Sequence, residues 1–126
     1  MGVDHFNGGK VLVWKGVFSV FKSQRPYPNA FANVVDRNET TVIIEQGKFY
    51  EGDVIEMSDG WKVLTFDMVI PLDTVGFTGR LGAAMAEANI SFLMIGAFST
   101  DHILVKEKDL ERAKQKLRAM GCVFER

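Results

Sequence analysis

The chain has 126 residues, 47% of them hydrophobic and 25% charged, with a formal net charge of −1. That length buries a real core in one or two small domains, and the near-neutral charge removes any bulk attraction to nucleic acid or anionic lipid. The longest apolar run, within 90–98, is too short to span a bilayer.

From the N-terminus, residues 1–10 lack the apolar centre of a secretion signal. Residues 11–14 read as a short strand broken at Lys15-Gly16. Residues 17–22 alternate as a strand does, and 23–29, with Pro26 and Pro28, must be a loop. Residues 31–36 and 40–46 read as a hairpin across Arg37-Asn38-Glu39. The glycines at 47, 52 and 60 mark 47–60 as a connection, with a short strand at 54–57, and as the domain boundary. The single cysteine, Cys122, forms no internal disulfide, which suits a reducing cytoplasm.

The second half carries the stronger patterns. Residues 61–70 predict a strand that Pro71 ends. A helix is predicted over 76–88, because Phe77, Leu81, Ala84, Met85 and Ala88 fall on one face of a 3.6-residue period. Asn89 suits the left-handed position that closes such a helix. Residues 90–100 are apolar on both faces and predict a central strand. Ser99-Thr100-Asp101 then turns the chain into an antiparallel partner at 102–105. A last helix begins near Glu107, buries Leu110, Ala113, Leu117 and Met120, and ends at Gly121 before a short strand at 122–125. The order from Trp61 onward is β-α-β-β-α-β, so the expectation is an α+β chain: a ferredoxin-like domain at 61–126 behind a β-rich unit at 1–60.

Residues 61–121 resemble the ACT domain, and within it the small bacterial proteins related to the CASTOR amino-acid sensors. The resemblance rests on Trp61-Lys62-Val63-Leu64, Ile70-Pro71-Leu72-Asp73, Gly76-Phe77-Thr78-Gly79, the run from Ala97 through Asp101-His102 to Val105, and Asp109-Leu110-Glu111-Arg112-Ala113. Residues 16–20 and the 31–46 hairpin resemble the family's N-terminal ACT-like unit. The resemblance implies ligand contacts from the glycine-bearing loop, Gly76, Phe77, Thr78 and Gly79, and from Asp101.

Residue chemistry gives a parallel reading. A helix start with glycines offers unpaired N–H donors to a carboxylate, and an aspartate in a turn accepts from an ammonium. A free amino acid carries both groups. It is therefore expected where the 73–79 loop meets the turn of Ser99, Thr100 and Asp101, and topology alone predicts that these segments emerge at one end of the sheet. The plainer reading also stands on these residue types: glycine permits the loop and aspartate tolerates a turn.

Ser99, Asp101 and His102 do not make a hydrolase, because strand neighbours point to opposite faces and no nucleophile elbow is present. Two histidines and one cysteine far apart form no metal site, and no cofactor is expected. The leading expectation is a non-catalytic regulatory protein that binds an amino acid. Its alternative is an interaction module that dimerises without a ligand. A homodimer is expected in either case, through a sheet edge or through Gly79, Gly82, Ala83 and Ala86.

Overall fold

A computed structural model describes residues 4–125, with eight strands and two α-helices among them. The chain divides into two compact units: residues 15–61, and the residues through Trp14 together with those from Lys62 on. The first is an insertion into the second. The strand near residue 11, expected to belong with the first half, therefore folds with the C-terminal half.

In the larger unit the strands are β1 (Lys10–Val13), the end of β5 (Val54–Phe66), β6 (Phe92–Gly96), β7 (Asp101–Lys106) and β8 (Val123–Phe124); the helices are α1 (Phe77–Glu87) and α2 (Leu110–Ala119). The element order from β5 onward is the expected β-α-β-β-α-β. β1 is inserted into that sheet: it pairs antiparallel with β5, with Val11 opposite Phe66, and parallel with β8, with Lys10 opposite Val123. β7 pairs with both β5 and β6.

Two expectations are corrected here. The strand that follows α1 is not central: among the described residues β6 pairs only with β7, so it is an edge strand, and it ends at Gly96 rather than Thr100. β5 starts at Val54 and stops at Phe66 rather than running from 61 to 70. The Asp67 amide donates to the Lys10 carbonyl at 2.8 Å as the last rung against β1. Beyond it the partner strand is used up, and the chain leaves the sheet.

Both helices face one core. Phe77, Leu81, Ala84 and Met85 of α1, with Ala113 and Leu117 of α2, pack with Val11, Leu64, Phe66, Ile103 and Val105 from the strands. Full burial of the Val, Leu, Ile, Phe and Met side chains among them is worth about 1.5–3 kcal/mol each. Both helices close in the same way. The Asn89 amide reaches the Ala86 carbonyl and the Ile90 amide reaches the Met85 carbonyl; Gly121 and Cys122 do the same to Arg118 and Leu117. This paired motif needs a left-handed residue after the helix, and Asn89 (φ 57°) and Gly121 (φ 101°) supply it.

The inserted unit is an antiparallel sheet in the order β3 (Ala32–Val35), β4 (Thr40–Glu45), β2 (Phe18–Ser23) and the first part of β5. Its only helical segment among the described residues is the three-residue 3-10 turn Glu51–Asp53. Phe21, Tyr27, Val42 and Ile44 form its small core. The expected 54–57 strand continues through Ser58-Asp59-Gly60, because that triplet forms a bulge instead of a turn. Val20 faces Ser58 while Phe18 faces Trp61, and Gly60 takes the positive φ of 81° that a bulge of this kind uses.

Candidate functional site

The site lies wholly in the larger unit, where the segment between β5 and α1 meets the β6–β7 hairpin. Pro71 and Thr74 close a turn through a 3.0 Å backbone bond, and the Ala97 amide closes the hairpin on the Thr100 carbonyl at 3.0 Å. The Ile70 amide donates to the Ser99 carbonyl at 2.6 Å and fastens the two segments together. Their meeting was expected on the premise that the strand ending at Thr100 is an inner one running parallel to β5. Only the inner position is corrected: β6 lies at the edge, and β7, which pairs with β5, begins where the hairpin ends.

Between the two segments is a cavity of about 500 Å³, within the range of small-molecule sites. Of the residues expected in the site, Phe77, Thr78 and Asp101 line it; Gly76, Gly79, Ser99 and Thr100 are not among its lining residues. Thr74 falls in the 73–79 loop expected there, but sequence reasoning did not place Ile70, Pro71 and Leu72 on the same wall, or Gly96, Ala97 and Phe98 on the other. Pro71 and the apolar run before Ser99 were the available signals, but both had been assigned to strand ends.

Among the described residues Asp101 is the one charged side chain on the walls. Its carboxylate has no hydrogen-bond or ion-pair partner among the described residues, and burial pushes its pKa up from the ordinary value, with the neighbouring His102 opposing the shift. Gly96 stands opposite Asp101 in the ladder, and a Cβ added there would sit 3.5 Å from Asp101 Oδ1. The missing side chain keeps the space beside the carboxylate open. At the other side, Gly76 (φ 91°) caps α1 with no side-chain hydrogen bond. The first intrahelical bond runs from the Arg80 amide to the Gly76 carbonyl. The amides of Phe77, Thr78 and Gly79 therefore have no intrahelical acceptor.

Phe77 is held firmly. Phe6 stacks on it with ring centroids 4.6 Å apart. Arg80 lies 5.0 Å over the Phe6 ring and pairs with Asp4 at 3.0 Å.

His102 belongs to a different contact. Its Nδ1 lies 2.8 Å from Thr65 Oγ1, and the Trp14 indole donates to the same oxygen at 2.7 Å. Burial lowers the pKa of His102, with Asp101 opposing the shift, which favours the neutral imidazole. Cys122 is buried, and its thiol is pushed up to about 11, by burial first and by the charge of Asp4 second. Among the described residues no group of three His, Cys, Asp or Glu side chains is arranged to hold a metal, and no helix is long and apolar enough to cross a membrane.

One family's sequence model, that of the ACT domain, matches residues 56–119, half of the chain. The chain belongs to the ACT-domain family. No curated protein matches this ACT-domain chain by sequence. Among solved structures it is similar to protein Atu0741 from Agobacterium tumefaciens, with a TM-score of 0.77 at 17% identity, covering 94% of this chain and 95% of that one. It is similar to the regulatory subunit of aspartate kinase from Thermus thermophilus in its ligand-free form, with a TM-score of 0.63 at 8% identity over 90% of this chain and 97% of that one. It also resembles Clostridium acetobutylicum aspartate kinase, with a TM-score of 0.67 at 12% identity, covering 87% of this chain but 34% of the enzyme. At these identities the likeness is one of fold.

Proposed function

We propose that this ACT-domain protein is a non-catalytic regulatory module that binds a free α-amino acid in the cavity between the β5–α1 segment and the β6–β7 hairpin. The observation that carries this reading is Asp101, an unpartnered carboxylate on the wall of a ligand-sized cavity. It accepts the ammonium, while the first-turn amides of α1 take the carboxylate. The aspartate kinase regulatory subunit of the same fold supports a regulatory role. In this reading the protein works in the cytoplasm like the CASTOR-type sensors it resembles, with the inserted unit, residues 15–61, as an ACT-like accessory to the unit that holds the cavity.

The protein signals through its own assembly. A homodimer forms along the open edge of β6 or across Gly79, Gly82, Ala83 and Ala86 on α1; Gly79 and Gly82 have open space where a Cβ would be. That same open edge favours a second reading, a dimerising module with no ligand.

A thermal-shift screen of the twenty amino acids separates the two readings. A bound ligand raises stability by about 2.7 kcal/mol at a hundredfold excess over Kd. No shift with any amino acid leaves only the dimerising module.

A further inference from the structure

Resting on the reading that an amino acid fills this cavity, we infer that the ligand is one with an aliphatic or aromatic side chain, and that acidic and basic amino acids are excluded. The walls make the choice. Apart from Asp101, no lining side chain among the described residues carries a charge. A ligand with an acidic side chain would bring a second carboxylate to a cavity whose only fixed charge is negative, and no lysine, arginine or histidine lines it to compensate. Unpaired charge taken out of water is costly. A ligand with a basic side chain would bring two cations to one carboxylate, leaving one of them against hydrocarbon.

What the walls do offer is apolar surface. Ile70 and Phe77 are buried behind the cavity, whereas Leu72 is 71% exposed and Phe98 80% exposed at its edge. Two large apolar side chains left this open on opposite walls of one cavity are surface that an occupant would cover. Asp101 fixes the ammonium beside Gly96, and the side chain is left to meet Leu72 and Phe98.

The test is calorimetric titration of the full chain with L-leucine, L-phenylalanine, glycine, L-aspartate and L-lysine, repeated on Phe98→Ser. Phe98 is exposed enough that its replacement leaves the core untouched. Leucine or phenylalanine should bind roughly tenfold or more tightly than glycine, given the value of several buried methylenes. Aspartate and lysine should bind more weakly than glycine, and Phe98→Ser should shrink the advantage of leucine over glycine. If aspartate or lysine binds most tightly and Asp101→Ala abolishes that binding, the amino-acid reading stands and this inference is overturned. Equal affinities for leucine and glycine overturn it in the same way. If none of the five binds and the wider screen of twenty is also silent, the amino-acid reading falls and takes this inference with it.

Discussion

The Ile70 amide and the Ser99 carbonyl, 2.6 Å apart, join the two segments that enclose the cavity. Neither residue is in a strand, so no ladder holds this bond in place. A ligand wedged between the segments should tighten it. Amide hydrogen exchange is expected to show Ile70 protected in the free protein and slowed further on saturation with ligand, together with the amides of 97–101. Unchanged exchange at Ile70 on saturation would place the ligand elsewhere.

Asp101→Asn should trade function for stability. The Asp101 carboxyl titrates above its ordinary value of 3.8, so the folded protein holds that proton more tightly than the unfolded chain does. Ionising the group therefore costs stability at neutral pH, and the cost disappears once the pH falls through the raised value and below 3.8. The asparagine variant is expected to melt at or above the wild-type temperature at pH 7, with the difference closing as the pH drops toward 3. The same variant should lose about tenfold or more in ligand affinity, since a charge-assisted hydrogen bond is worth roughly 1.5–3 kcal/mol. Melting curves across pH, paired with titration calorimetry, check both halves.

Asn89 holds a left-handed backbone at φ 57° to end α1. Asn89→Ala should destabilise the protein by about 1–2 kcal/mol, the cost of placing a Cβ in that conformation without the local hydrogen bonding asparagine allows. Asn89→Gly should be neutral or slightly stabilising. Urea unfolding of the three proteins gives the comparison, and an alanine variant as stable as wild type would mean that the helix end relaxes.

Cys122 should resist alkylation. With its thiol pushed up to about 11, almost none is thiolate at pH 8, and the side chain is buried besides. Iodoacetamide at pH 8 is expected to label the folded protein far more slowly than the urea-unfolded chain, where the thiol returns to its ordinary range. Equal rates would show that the C-terminal segment opens readily.

The helices were readable from sequence because their determinants are local. A 3.6-residue stripe and a left-handed residue after the last turn fixed both α1 and α2, and Asn89 and Gly121 close them as their residue types imply. The strands were less readable because their ends depend on partners. Nothing in the apolar run from Ile90 to Phe98 says where pairing stops, so Phe98 was taken for strand when it is 80% exposed in a turn. An apolar strand also suggested a central place, yet β6 is at an edge. The site inherited both errors. Phe77, Thr78 and Asp101, which line the cavity, were named because a glycine-bearing helix start and a turn aspartate have local chemistry. Ile70 and Phe98 were not named because they were counted into strands that had already ended, and Pro71 because it was read only as the stop of one. The insertion of β1 between β5 and β8 left no local signal at all.

That insertion sets an order of events during synthesis. Lys10 pairs with Val123, so β1 waits for β8, made long after it, before its second edge is covered. The pairings of the inserted unit are all shorter in sequence and can form while β1 has only one side to offer. Long-range pairing of this kind slows folding and leaves a strand edge open in the meantime. Until residue 123 has been made, β1 keeps one edge open even when β5 covers the other, and at that stage this edge is exposed to chaperones and to other copies of the chain.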